Sequence, residues 1–324
     1  MRIHANDGIS SQAKARLQQE GFHITTEHVP QDQLVAYLNA EAVDVLLVRS
    51  ATKARKELID ACTNLKLIGR GGVGLDNIDV AHAREKGIPV INTPASSSIS
   101  VAELVIAHLT GLMRNLHKAN RRMPGEGLML FKDLKKEYEK GTEVRGKTLG
   151  VIGFGRIGQW TARYALGLGM KVVYTDNHAT AESIELEIGG QTIRVGVKLV
   201  TLDELLEQSD AISLHVPAQK DGSPVLGTAQ LAKVKPGVVI VNTARGGSVD
   251  ESALLAALND GRVKAAALDV FENEPTPRAE LLAHANISLS PHIGAATAEA
   301  QGRVGDELVE QIVSWREQVT VGRG

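Results

Sequence analysis

The chain has 324 residues, 43% of them apolar and 23% charged, which is more than one hydrophobic core normally organises, so two domains are expected ahead of a single large one. Its 36 basic and 38 acidic side chains nearly cancel and only 3% of residues are aromatic, which argues against a polyanion, an anionic membrane or stacked single-stranded nucleic acid as the partner. Cys62 is the only cysteine, so no intrachain disulfide and no thiolate metal cluster can form, and no metal is expected. With neither a targeting segment at its start nor an apolar run of the roughly 20 residues that span a bilayer, the chain is expected in the cytoplasm.

In chain order, short β-branched or leucine-rich runs at 2–6, 23–29, 45–49, 65–69 and 89–92 alternate with helical patterns such as 11–20 and 53–61, as in a small parallel α/β unit. After the serine-rich stretch 96–100, Val101, Leu104, Val105, His108, Leu109 and Leu112 recur at helical spacing, and this helix is taken as the crossing into a second domain. Residues 141–148, GTEVRGKT, match the Walker A letters, but a charged stretch precedes them and a strand pattern follows, so the match is read as coincidence. A second series of strands at 148–152, 171–175, 211–214, 238–241, 265–268 and 287–289 reads as a doubly wound sheet. Within it, the span 183–201, where 184–188 and 192–197 alternate about Gly189-Gly190, predicts a β-hairpin excursion. A last helix over 295–315 carries Val304, Leu308, Ile312 and Trp315 on one face.

The cofactor signal is Gly153-Phe154-Gly155-Arg156-Ile157-Gly158, which follows an apolar strand, opens a helical pattern and is followed by Asp176 at the end of the next strand. Glycines at that spacing let the backbone turn and approach a pyrophosphate, while the helix N-terminus offers free N–H groups to the anion. Asp176 would accept hydrogen bonds from the adenosine ribose and repel a 2′-phosphate, favouring NAD over NADP, a preference that His178 could soften. Hydride transfer at an alcohol carbon needs a proton acceptor and a clamp for a carboxylate, for which histidine and arginine are suited. Arg245, Glu274 and His292 stand in loops after successive strands of the second series, where α/β enzymes keep their chemistry, although each taken singly also reads as a solvated or structural side chain.

Residues 242–250 (NTARGGSVD), 267–275 (ALDVFENEP) and 291–297 (PHIGAAT) resemble the signature segments of the D-2-hydroxyacid dehydrogenases, and the likeness covers nearly the whole chain. Residues 48–53 (VRSATK), 69–79 (GRGGVGLDNID) and 92–100 (NTPASSSIS) are similar to its phosphoglycerate dehydrogenase branch rather than to the D-lactate branch. The resemblance implies a flavodoxin-like α/β substrate domain from residues 1–97 and 291–324 and a Rossmann NAD-binding domain from 98–290, with NAD and substrate meeting in the cleft between them. It implies His292 as general acid/base, Glu274 as its orienting carboxylate and Arg245 as the clamp on substrate carboxylate and carbonyl. For the cofactor it implies Gly153, Gly155, Arg156, Ile157, Gly158, Asp176, His215, Pro217, Thr243, Asp269, His292 and Gly294, with Asp269 bonded to the nicotinamide carboxamide. For the substrate it adds Arg70, Gly71, Gly72, Val73 and Gly74 through backbone N–H groups, and Arg49 near a distal phosphate or else simply an exposed strand-end charge.

The activity so implied is NAD-dependent oxidation of D-3-phosphoglycerate to its 2-oxo acid, the opening of serine biosynthesis, by a homodimer built around the helix from Ser100 and the segment 121–140. A hydroxypyruvate or glyoxylate reductase would use the same residues without a phosphate site, and a non-catalytic NAD(H)-sensing protein could retain them. Two departures stand out: the hairpin at 183–201 is not a usual family feature, and no C-terminal regulatory domain is expected after the last helix.

Overall fold

The computed structural model describes residues 1–321 and divides into two compact units, Met1–Ser98 with Ala295–Gly324 and Ile99–Gly294. The substrate domain expected over 291–324 thus includes three residues, 322–324, that lie outside the described ones.

The first unit runs β1 (Arg2–Ala5), α1 (Ser11–Gln19), β2 (His23–Thr25), α2 (Gln31–Ala40), β3 (Val45–Val48), α3 (Lys56–Ala61), β4 (Leu67–Arg70), α4 (Val80–Glu85) and β5 (Val90–Asn92). Its five strands are all parallel in the order β2-β1-β3-β4-β5, the flavodoxin order. Alternation along β3 explains why both faces are dry: Leu46 and Val48 join Leu34, Leu38 and Leu58 on one side, while Val45 and Leu47 join Leu17 and Ile24 on the other. Strand β2 is shorter than expected because Val29 gives its N–H to the Asn6 side chain rather than to a neighbouring strand.

The second unit contains α5 (Ser98–Met113), α6 (Leu116–Tyr138), β6 (Thr148–Ile152), α7 (Arg156–Gly167), β7 (Lys171–Thr175), β8 (Ser183–Ile188), β9 (Gln191–Gly196), β10 (Lys198–Leu199), α8 (Leu202–Gln208), β11 (Ala211–Leu214), α9 (Thr228–Leu231), β12 (Val238–Asn242), α10 (Glu251–Asn259), β13 (Val263–Leu268), α11 (Ala279–Ala283) and β14 (Ile287–Leu289). Seven parallel strands in the order β10-β7-β6-β11-β12-β13-β14 form a doubly wound sheet whose order reverses between β6 and β11, the place where such folds bind ligands. Cores fill both faces, one around Leu149, Val151 and Tyr174, the other around Ile212, Ile240 and Leu254.

The excursion after β7 is an antiparallel hairpin, β8 with β9, turned by Gly189 and Gly190 at φ +58 and +78. It ends sooner than expected: Lys198 and Leu199 leave it and pair with Val173 and Tyr174 as the edge strand of the main sheet. The Walker-like residues lead into β6, a strand, as their sequence context required. Helix α12 (Ala298–Val321) belongs to the first unit, where Val304, Leu308 and Ile312 pack with α1 on the sheet. The contact is close enough that a Cβ on Gly305 would lie 2.6 Å from Ser10 Oγ and 2.7 Å from Ala13 Cβ. Among the described residues no helix is long and apolar enough to cross a membrane.

Candidate active site

The turn after β6 uses its three glycines for three different reasons. Gly153 sits at φ +92 with room for no side chain, since a Cβ would lie 2.5 Å from the His215 carbonyl oxygen. At Gly158 a Cβ would lie 2.1 Å from the Gly153 carbonyl oxygen, so helix and strand touch through backbone. A Cβ on Gly155 would meet nothing within 4 Å, yet Gly155 is the N-cap of α7 and no side chain caps that helix. The helix therefore starts with its N–H groups facing open space over a bare backbone, the form a pyrophosphate requires, and the residues present fit a dinucleotide.

Asp176 is built into this turn. Its Oδ2 accepts from Phe154 N (2.6 Å), and its Oδ1 accepts from His178 N (2.7 Å) and Ala179 N (2.8 Å). Burial pushes the carboxyl up, but the N–H groups of Ala179, Phe154 and His178 together outweigh it and hold the group below the usual carboxylate range. The acid expected only to meet a ribose thus first fixes the glycine turn, and keeps its charge beside it.

At the ends of the next strands, His215 donates its N–H to Ile152 O (2.7 Å), and its Nε2 lies 2.9 Å from Ser213 Oγ. Burial pushes its ring down to about 3, so it is neutral, and its Nδ1 has no hydrogen-bond partner among the described residues. Pro217 follows it, exposed. Thr243 is buried just past β12, with its Oγ1 likewise unpartnered among the described residues. Asn242 shapes the loop that carries Arg245, accepting from Ala244 N (3.0 Å) and donating to Arg245 O (3.0 Å). Gly246 lets that loop lie on the next one: a Cβ there would fall 1.9 Å from Phe271 O.

The loop after β13 brings Glu274 to His292. Glu274 Oε1 accepts from Phe271 N (3.0 Å) and Oε2 lies 2.8 Å from His292 Nδ1. A carboxylate only accepts, so Nδ1 carries a hydrogen in either charge state of the ring, and Nε2 is the atom that can gain or lose a proton. His292 itself stands at φ +54, a conformation uncommon outside glycine. Asp269, 1% exposed, holds it there by accepting from the two following peptides, Ile293 N (2.9 Å) and Gly294 N (2.9 Å). Glu251 and Glu272 exchange side-chain and backbone bonds (3.1 and 2.9 Å), which ties the Glu274 loop to the start of α10.

In the first unit, Arg49 directly follows β3 and Arg70 ends β4. Asp7 Oδ2 accepts from Arg49 N (2.6 Å) and Thr52 N (3.1 Å), and Asn77 donates to Arg49 O (2.7 Å), so the turn after β3 is held rigidly. Arg70 donates to Arg49 O (3.3 Å) and to Gly74 O. The expectation for the loop is altered in one respect: Gly71 N donates to Val48 O (2.9 Å) and Gly72 N to Arg70 O (3.0 Å). Of the five residues expected to offer amides, Arg70 belongs to β4 and Gly71 and Gly72 spend theirs in shaping the loop, which leaves Val73 and Gly74 as N–H donors for an anion among the described residues. Among the described residues no group of three or more histidine, cysteine or acidic side chains could hold a metal ion.

His108, expected only as one member of the apolar face of its helix, and Ser290 stand behind Asp269. The signal lies in the spacing Ser288-Leu289-Ser290, which puts one hydroxyl on β14 and a second on the same side just past its end, beside a polar residue in an otherwise apolar helix face.

Residues 106–294 match the family described as D-isomer specific 2-hydroxyacid dehydrogenase, NAD binding domain. The chain is 45% identical over 315 residues to a hydroxypyruvate reductase of Thermotoga maritima, covering 96% of this chain and 97% of that one. It is 40% identical over 318 residues to a D-3-phosphoglycerate dehydrogenase of Archaeoglobus fulgidus, covering 97% of this chain but 57% of that one, and it spans about half the length of further D-3-phosphoglycerate dehydrogenases. Among solved structures, a D-lactate dehydrogenase of Aquifex aeolicus complexed with NAD and lactic acid matches with a TM-score of 0.78 at 29% identity, covering 98% of this chain and 96% of that one.

Proposed function

We propose, since this chain belongs to the D-isomer specific 2-hydroxyacid dehydrogenase family, that it oxidises D-3-phosphoglycerate to the corresponding 2-oxo acid with NAD. The observation that carries the chemistry is the 2.8 Å pair between Glu274 and His292 Nδ1, which leaves Nε2 as the proton-transfer atom. Neutral His292 takes the hydroxyl proton while the C2 hydrogen leaves with its electron pair and the C–O single bond becomes a carbonyl. NAD, when bound, supplies the carbon that accepts that hydride. Glu274 then stabilises the imidazolium, and in the reverse direction the same proton returns to the carbonyl oxygen. Arg245 clamps the substrate carboxylate and carbonyl, a task for a planar fork of donors. The first unit's Arg70–Gly74 loop is assigned to the substrate, with Val73 and Gly74 as its N–H donors.

The turn at Gly153, Gly155 and Gly158, with Arg156 and Ile157 opening α7, is proposed to cradle the pyrophosphate, and Asp176, kept ionised, to favour NAD over a 2′-phosphorylated cofactor. His215, Pro217, Thr243 and Gly294 line the remaining cofactor path in this reading, and Asp269 faces the nicotinamide amide. Phosphate recognition is assigned to Arg49, whose backbone Asp7 pins.

A second reading, reduction of hydroxypyruvate, is favoured by the 45% identity and end-to-end coverage of the Thermotoga enzyme. Arg49→Ala separates the two. Under the first, kcat/KM for 3-phosphoglycerate falls about 100-fold, as for loss of a charged hydrogen bond, while that for D-glycerate is unchanged. Equal small effects on both would leave the phosphate assignment without support. We further propose a homodimer through α6, which exposes Leu116, Met123, Leu128, Met129 and Phe131, an apolar surface of the kind that marks interfaces.

A further inference from the structure

His108 lies on the face of α5 that also buries Val105, Leu109 and Leu112, and it is itself only 8% exposed. Its Nδ1 is 2.9 Å from Ser288 Oγ and its Nε2 is 2.9 Å from Ser290 Oγ. Ser290 Oγ is in turn 2.6 Å from Asp269 Oδ1. The direction of every bond in this chain follows from its acidic end. Asp269 can only accept, so Ser290 gives its one hydroxyl proton to the carboxylate and must itself accept from His108 Nε2–H. Nδ1 is then the unprotonated nitrogen and accepts from Ser288. One neutral tautomer satisfies the whole path, and burial, against the weaker pull of Asp269, favours that neutral form.

An apolar side chain would fill this helix position without the cost of desolvating two ring nitrogens. What the histidine adds is a fixed hydroxyl rotor on Ser290 and hence a third donor on Asp269, beside Ile293 N and Gly294 N. Those two peptides directly follow His292, whose φ of +54 persists only while its surroundings enforce it. We propose that His108 is a positioning residue for the reaction, acting through Ser290 and Asp269 to hold the loop that carries His292. This rests on the acid/base role proposed for His292. Misplacing a reacting group by a fraction of an ångström is enough to slow catalysis measurably.

The test pairs His108→Leu with His108→Gln, whose amide N–H reaches the place of Nε2–H. In His108→Leu, kcat for oxidation of the 2-hydroxy acid falls about tenfold with KM for the acid changed less than about twofold, and His108→Gln recovers most of the loss. Ser290→Ala gives a similar loss, and adding His108→Leu to it costs little more, because both act through one path. Independently of turnover, hydrogen exchange at the Ile293 and Gly294 amides quickens in His108→Leu while the β12 amides stay protected. Equal activity of the Leu and Gln variants, losses that multiply with Ser290→Ala, or unchanged exchange at Ile293 and Gly294 would each overturn the proposal. If the wild-type protein turns over no 2-hydroxy acid, the assigned function fails instead, and the exchange comparison still decides whether His108 holds the loop.

Discussion

Replacing Glu274 by Gln removes one charge and no volume, and the geometry says why it should be damaging. The carboxylate accepts two hydrogen bonds, from Phe271 N at 3.0 Å and from His292 Nδ1 at 2.8 Å. An amide has one acceptor oxygen. If that oxygen stays with Phe271, the NH2 group faces Nδ1, which must become an acceptor, and the ring proton moves to Nε2. His292 then presents a hydrogen where the substrate hydroxyl needs a base. If the amide turns the other way, Phe271 N loses its partner and the imidazolium still loses its counter-charge. General-base contributions of this type put the loss in kcat at about 100- to 1,000-fold, or roughly 2.7 to 4.1 kcal/mol. Stability should hardly change, because the two side chains are 48% and 36% exposed, and an exposed pair contributes about 1 kcal/mol or less. The assay is NADH formation at saturating substrates together with a thermal melt of each protein. A kcat within threefold of wild type, or a collapse of folding that accounts for the lost activity, would refute this reasoning.

The glycine turn predicts a contrast between two alanine substitutions. Gly155→Ala, where a Cβ meets nothing within 4 Å, should leave the melting temperature alone and weaken NADH binding about tenfold, read by fluorescence titration. Gly158→Ala, with its Cβ 2.1 Å from the Gly153 carbonyl oxygen, should lower both, and equal melting temperatures for the two variants would contradict the packing account. Burial holds His215 down to about 3, while burial first and then Lys118 and Arg121 hold His117 down to about 4. In the unfolded chain both rings take up a proton near pH 6.5, so between those values the unfolded state binds more protons. Stability from these two groups is therefore full above about pH 6.5 and is lost as the pH falls towards their folded values. Urea midpoints should drop between pH 7.5 and 5, less steeply in His117→Gln; a flat profile would count against it. Leu128 and Met129, 96% and 83% exposed on α6, give the dimer test: changing both to Glu should turn a dimer into a folded monomer in sedimentation, and an unchanged mass would remove α6 from the interface.

Local signals carried the alternation of strands with helices and the cofactor turn, because each depends on residues close in sequence, whereas the strand orders are set by pairing between distant segments. The alternation in β3 and the glycine spacing after β6 are visible without knowing any partner. So is the hairpin, through Gly189-Gly190. The span to 201 overruns the hairpin because Lys198 and Leu199, past the alternating residues, are claimed by β7, a tertiary choice worth only two residues of pairing. The Arg70–Gly74 loop looks in sequence like a row of free amides, yet Gly71 and Gly72 use theirs against Val48 and Arg70, which only the folded turn decides. The position of Asp176 at a strand end points in sequence to a ribose, and its bonds to the glycine turn are visible only in the fold. His108 is, in sequence, one more member of a buried helix face. Its meaning lies in Ser288 and Ser290, about 180 positions away, and no periodicity within α5 could announce them.

The most direct test of the central claim is NADH production at 340 nm by the purified protein with 3-phosphoglycerate, D-glycerate and D-lactate, each with a trap for the 2-oxo product, beside a His292→Ala control. The account predicts turnover that prefers 3-phosphoglycerate and is lost in the variant. Tight NAD(H) binding without turnover of any of the three acids, or activity that survives His292→Ala, would contradict it.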